Sequence, residues 1–251
     1  MTGVPRIGTV VSLPGAALAE LAGGALDLAW IDLEHGALGF ADVPPLAIAL
    51  RAAGCAAHVR IASPAPGALG PVLDAGVAGV VAPCVETAEQ AAALVAALRY
   101  PPAGVRGFGP RRAGGYGRVP RYWAAPESRV ALTAQIESAA GVAEARAIAA
   151  VDGVDTLVVG CADLSLALGA PMDLGAAALR RAVATVAGAA AEAGVAFGLA
   201  VPDDPRAVAA LAPPGTAVLI CSADVRVYAG AVDATVTSLR AALAGRGRAA
   251  A

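Results

Sequence analysis

The sequence predicts a single-domain (β/α)8 TIM barrel, on three observations. Eight short runs rich in Val, Ile and Leu recur along 251 residues, with Ala-rich stretches of helical length between them. The runs are continuously apolar rather than alternating, which is the pattern of strands covered on both faces in a parallel sheet. No G-x-G-x-x-G opens a helix after the first run, which counts against an open dinucleotide-binding sheet. Barrels of this length are routinely one domain.

In order, the strands are expected at residues 7–13, 26–33, 56–61, 79–85, 130–136, 156–160, 196–201 and 217–221. Helices are expected between them, among others at 88–98, 141–150, 176–193 and 228–244. The most apolar stretch, 182–201, is interrupted by Gly188, Gly194 and Gly198, contains Glu192 and is closed by Pro202. It reads as the end of a helix, a glycine turn and a buried strand, because a membrane span needs about 20 predominantly apolar residues without a break. One connection breaks the rhythm: residues 101–126 are rich in Pro, Gly and Arg and follow the fourth strand. That places a long loop on the face where barrel enzymes keep their active sites. Tyr116, Tyr122 and Trp123 are expected to anchor part of it.

Composition excludes several functions. All 18 basic residues are arginine, so no lysine is available for a Schiff base, a pyridoxal cofactor or a Walker-type phosphate loop. Two histidines are too few for a His-rich metal site. A formal charge of −2 gives no general attraction to nucleic acid or to acidic membranes. The Met1 end lacks the basic start and long apolar run of a secretory signal, so a cytoplasmic protein is expected. Cys55, Cys84, Cys161 and Cys221 are widely spaced beside apolar runs and read as reduced, mostly buried thiols.

Polar residues at strand exits are the candidates for chemistry. The second strand ends in Asp32-Leu33-Glu34-His35-Gly36. His35 suits a general base, since an imidazole titrates near neutrality; the structural alternative has Asp32 capping a turn and His35 at the surface. The third strand ends in His58-Val59-Arg60. Arg60 offers a planar fork to a carboxylate or enolate, or else to a salt-bridge partner, and His58 reads as structural. On the fifth strand, alternation turns Gln135 and Glu137 to one side. The sixth ends in Gly160-Cys161-Ala162-Asp163. Glu137 and Asp163 on neighbouring strand ends suit a hard divalent cation such as Mg²⁺ or Mn²⁺, although both could equally cap the helices that follow. The loop arginines Arg106, Arg111, Arg112, Arg118 and Arg121 form either a solvated face or a cover attracting an anionic substrate.

Together these segments resemble the HpcH/HpaI aldolase family, the metal-dependent (class II) aldolases of 4-hydroxy-2-oxo acids. The matching segments are WIDLEHG (30–36), HVR (58–60), VLDAGV (72–77), VVAPCVETAEQA (80–91), RYPPAGVRGFG (99–109), QIES (135–138), VDGVDTLVVGCADLSLALG (151–169) and GLAV (198–201). The resemblance covers nearly the whole chain, residues 7 to 244. The resemblance implies reversible cleavage of a 4-hydroxy-2-oxo acid to pyruvate, or a close 2-oxo acid, and an aldehyde. It implies Glu137 and Asp163 as ligands of a divalent metal (Mg²⁺, Mn²⁺ or Co²⁺), with no PLP, NAD or Schiff-base lysine. Arg60 is implied beside the keto oxygen, Gln135 near the metal, and the backbone at Gly160, Ala162 and Asp163 at the pyruvate carboxylate. His35 is implied as the base, paired with Asp74 of a neighbouring subunit. That pairing implies an oligomer, and the resemblance implies a homohexamer, a trimer of dimers exchanging C-terminal helices. Two positions depart from the family pattern: Pro110 follows the RGxG-type segment in place of a small polar residue, and Cys161 stands where proline is common.

Two other functions are compatible with this barrel. A citrate-lyase-type acyl-CoA lyase would use the same carboxylates, but such proteins carry extra C-terminal structure and here only residues 245–251 follow the last expected helix. A non-catalytic keto-acid-binding protein would keep the site without turnover.

Overall fold

The computed structural model describes residues 4–202 and 204–249. Eight parallel strands close in sequence order into one barrel: β1 (Arg6–Val11), β2 (Leu28–Asp32), β3 (Ala56–Arg60), β4 (Gly79–Ala82), β5 (Ala131–Ile136), β6 (Thr156–Gly160), β7 (Ala196–Val201) and β8 (Val218–Ala223). Helices follow them: α1 (Ala16–Gly23), α2 (Val43–Ala52), α3 (Leu69–Asp74), α4 (Ala88–Leu98), α5 (Ala139–Ala149), α6 (Cys161–Ala167), α7 (Ala177–Ala193), α8 (Pro205–Leu211) and α9 (Asp224–Ala249). The Met1 end, read for an export signal, lies outside the described residues, as do Ala250 and Ala251. Among the described residues no helix is long and apolar enough to cross a membrane.

The strands are mostly apolar because each face meets a different core. Leu28, Trp30, Val81, Val158 and Ile220 pack inside the barrel. Their neighbours Ala29, Ile31, Val80, Leu157 and Val159 point outward and join the helices in a larger cluster. Alternation is therefore present but invisible to a hydrophobicity pattern. In register, Trp30 lies beside His58 and His58 beside Gly79. A Cβ on Gly79 would sit 2.5 Å from His58 Nδ1, so the glycine makes room for the imidazole. Burial is the main cause that lowers the His58 pKa to about 4, which keeps it neutral.

Local signals set the helix ends. Thr87 and Gln90 form a capping box at α4, Ser138 caps α5, and the Asp204 carboxylate accepts the Arg206 and Ala207 N–H groups at α8. Gly194, in the left-handed region, ends α7 before β7 begins, so the apolar stretch 182–201 divides as expected. The barrel closes between β1 and β8, where the Asp224 carboxylate accepts from Ser12 N (2.9 Å), Ser12 Oγ (2.7 Å) and Leu13 N (2.9 Å).

Three expectations need correction. Cys84 is exposed, and only Cys55 and Cys161 are fully buried among four free thiols; Cys84 lies past the end of β4, on the open mouth of the barrel. In the 101–126 loop, which forms short 3-10 turns, Arg106 is buried with its guanidinium 4.5 Å over the Tyr100 ring and bonded to Ser128 O, and Arg112 bonds Ala75 O. These two hold the loop down rather than facing solvent. Tyr122 is buried there, whereas Tyr116 is exposed and Trp123 packs edge-on against Phe108. Finally, α9 starts four residues before the expected helix and runs on to Ala249. Val225, Tyr228, Val232, Val236, Leu239 and Leu243 form an exposed stripe on it at spacings of three and four, the repeat of one helix face.

Candidate active site

The strand ends bring distant residues together because parallel register aligns their C-termini. Asp32 and Arg60 are register partners on β2 and β3. Both are buried, and Arg60 grips the Asp32 carboxylate bidentately, Nε to Oδ1 at 2.9 Å and Nη2 to Oδ2 at 2.7 Å. Its third nitrogen, Nη1, lies 3.1 Å from Glu34 Oε2. Burial is the largest influence on Arg60 and opposes its charge, but Asp32 and Glu34 together outweigh it and raise the pKa. Glu34 is also raised, first by burial and then by the nearby Glu137 carboxylate, with Arg60 pulling the other way.

Across the mouth, the β5 exit carries Gln135 and the adjoining Glu137, both buried. Gln135 Nε2 donates to Glu137 Oε2, as their shared facing predicts. The other oxygen, Oε1, accepts from both Cys84 N (2.7 Å) and Cys84 Sγ (3.1 Å). Cys84 reaches it because its backbone turns through φ 51° just after β4. Although the residue as a whole is exposed, partial desolvation of the sulfur against Glu137 and then the Glu137 hydrogen bond push the Cys84 thiol up to about 12, so it stays a protonated donor. Ligand atoms of Glu34, Cys84 and Glu137 all lie within 4.8 Å of one another.

A cavity of about 370 Å³ opens above these groups, lined by His35, Arg60, Gln135, Gly160, Ala162 and Asp163 together with apolar residues of β7 and β8. Glu137 stands directly behind Gly160: a Cβ there would lie 2.5 Å from Glu137 Oε2. Asp163 sits in the first turn of α6, whose N-terminus has no side-chain cap. Its N–H groups are left for another acceptor. The imidazole of His35 is largely exposed, 3.9 Å from Glu34 Oε2. Of the sequence candidates, only Asp74 falls elsewhere. It ends α3 beside Gly109 and lines a second cavity with Phe40, Arg111, Arg112 and Tyr116.

Comparison with known proteins identifies the family. The family model for HpcH/HpaI aldolase/citrate lyase matches residues 9–221. The chain belongs to the HpcH/HpaI aldolase/citrate lyase family. It is 42% identical over 168 residues to a 4-hydroxy-2-oxovalerate aldolase of Novosphingobium aromaticivorans, covering 65% of this chain and 63% of the relative. A 4-hydroxy-2-oxovalerate aldolase of Rhodococcus jostii (strain RHA1) is 38% identical over 174 residues, covering 67% of this chain and 66% of the relative. The match thus spans a little under two thirds of both curated relatives. A crystal structure of an HpcH/HpaI family protein from Burkholderia cenocepacia J2315 superposes with a TM-score of 0.88 at 34% identity, covering 94% of this chain and 95% of the other.

The residues present suit a divalent cation. Gln135 Oε1 is buried without a hydrogen-bond partner, next to a carboxylate and across the mouth from Glu34. That is an acceptor-rich pocket with too little positive charge inside it. Oxygen donors of Glu137 and Asp163 fit a hard ion. Three participants went unassigned at the sequence level. Glu34 stood in the crowded Asp32–Gly36 segment without a role, Asp32 was read there only as a turn cap, which it also is through the Glu34 N–H at 3.0 Å, and Cys84 was hidden inside an apolar run. A proline-then-cysteine step at a strand exit was the available signal for Cys84.

Proposed function

We propose that the protein is a divalent-metal-dependent aldolase that reversibly cleaves a 4-hydroxy-2-oxo acid into pyruvate, or a close 2-oxo acid, and an aldehyde. The observation that carries this reading is Arg60, held in one orientation by Asp32 and Glu34 with Glu137 and Gln135 across the same mouth. Both relatives named above are 4-hydroxy-2-oxovalerate aldolases, which supports it.

Glu137 and Asp163 would hold the cation, with Gln135 beside it; when bound, that ion supplies positive charge where the enolate's negative charge develops. The backbone around Gly160, Ala162 and Asp163, where α6 begins without a side-chain cap, binds the 2-oxo acid's carboxylate. Arg60 donates a hydrogen bond to the keto oxygen, strengthening as that oxygen becomes anionic. His35, facing the cavity from the side, accepts the 4-hydroxyl proton directly or through water. Asp74 lines a different cavity of the same chain, so it would orient His35 only from a neighbouring subunit.

That requirement and the exposed apolar stripe of α9 support a homo-oligomer, in the family manner a hexamer. Glutamate at Leu239, which is 59% exposed in the single chain, should lower the mass measured by light scattering; an unchanged mass would move the interface off α9.

The decisive experiment is exchange of pyruvate methyl protons for deuterium, followed by NMR with added Mg²⁺ or Mn²⁺ and with chelator. Exchange that requires metal is the expected result. Its absence in a folded, metal-supplied sample would overturn the aldolase reading.

A further inference from the structure

The exposed thiol of Cys84 lies against the very carboxylate proposed as a ligand of the catalytic ion. We propose that Glu34, Cys84 and Glu137 form a second, thiophilic metal site that takes Zn²⁺ or Cd²⁺ and excludes the catalytic hard ion. The inference rests on the proposed function in one respect only, that Glu137 is shared by both ions.

Geometry supports it first. Cys84 Sγ is 3.1 Å from Glu137 Oε1, and the ligand atoms of all three residues lie within 4.8 Å of one another. In a tetrahedral zinc site with bonds of about 2.0–2.3 Å, ligand atoms sit roughly 3.3–3.6 Å apart. Side-chain movements of about 1 Å would bring the three onto one ion. Charge supports it next. With its proton released to solvent on binding, the thiol joins Glu34, Glu137 and the Arg60-bound Asp32 around one arginine, and a divalent cation offsets most of that excess negative charge.

A separate observation points to a cation at the same place. The Gln135 side chain, 2% exposed, leans on Glu137 through Nε2, and its Oε1 has no hydrogen-bond partner. That lone acceptor stands one amide width from the cluster. The choice of ion follows from ligand softness. A thiolate favours Zn²⁺ and Cd²⁺, whereas Mg²⁺ keeps to oxygen in octahedral geometry. Cys84 is the exposed cysteine of the four, so the ion reaches it from solvent.

The test is a titration of metal-free protein with Cd²⁺, followed by the sulfur-to-cadmium charge-transfer absorption in the ultraviolet. One equivalent should produce the band. The band should vanish in Cys84→Ser, persist in Cys221→Ser, and need at least tenfold more Cd²⁺ in Glu34→Gln. In a second measurement, Cd²⁺ should release bound Mn²⁺, seen as growth of the free-ion EPR signal. Circular dichroism establishes that each variant is folded. A band that survives Cys84→Ser, no band in folded protein, or an unaltered titration in Glu34→Gln overturns the site. Retention of Mn²⁺ beside bound Cd²⁺ overturns the exclusion. Pyruvate exchange reads the aldolase proposal separately, since it is measured without Cd²⁺.

Discussion

At the N-terminal mouth of the barrel, acidic groups are tied to the main chain at the rim. Asp27 accepts the Ile7 N–H at 2.8 Å, and Asp155 accepts the Leu132 N–H at 2.8 Å while pairing with Arg129. At the C-terminal mouth, Asp32, Glu34 and Glu137 are gathered around a single buried arginine. The residue types are alike, but their partners differ. Rim carboxylates that bind N–H groups reinforce strand pairing. Carboxylates turned toward one another raise the free energy of the folded chain, and a fold retains such an arrangement where a charged ligand relieves it. The contrast teaches that the functional mouth is marked by crowding of like charge, not by polarity.

Breaking the Arg60 pair should have the largest effect. Arg60→Met leaves Asp32 buried and unpaired, which costs about 3–5 kcal/mol in chemical denaturation and abolishes pyruvate exchange. An unchanged denaturation midpoint would mean that the C-terminal mouth is as relaxed as the other. Next comes Glu137→Gln, which keeps an acceptor for Cys84 but removes charge. Metal-supplied exchange should fall roughly a hundred- to a thousandfold, with stability maintained or increased because the crowding is eased. Full exchange would place the ion on other ligands.

The smallest effect concerns His58, deep in the barrel on the side of the N-terminal mouth, where it lines a cavity with Arg6 and Asp155. Its pKa is about 4 when folded against 6.5 for the free side chain. Between those values the unfolded chain binds more protons, so stability falls as pH drops from 6.5 toward 4, by at most about 3 kcal/mol. His58→Gln should flatten that acid slope in pH-dependent unfolding. A slope of equal size in the variant would assign it to other groups.

The barrel was legible because eight apolar runs and their helices repeat, and the strand bounds differ from those read in the sequence by only a few residues. Arg60, Gln135, Asp163 and His35 were legible as strand-exit polar residues, Gly160 and Ala162 only through the family resemblance, and all six line one cavity. What pairs with them was not. The grip of Asp32 on Arg60 depends on β2–β3 register, which sequence spacing does not encode. Cys84 faces Glu137 through a left-handed backbone turn at a non-glycine residue, a conformation that residue type does not announce. Arg106 and Arg112 looked like surface charge because their acceptors are main-chain carbonyls 22 and 37 residues away.

The double hold on Arg60 has a thermodynamic consequence for ligand capture. A free arginine loses rotamer entropy when a ligand immobilises it, about 0.5–1.5 kcal/mol per side chain. Here that loss is already incurred on folding, since three of its nitrogens are engaged by Asp32 and Glu34. Binding of a 2-oxo acid should therefore carry little conformational penalty from this residue, and calorimetry should register the contact chiefly as heat.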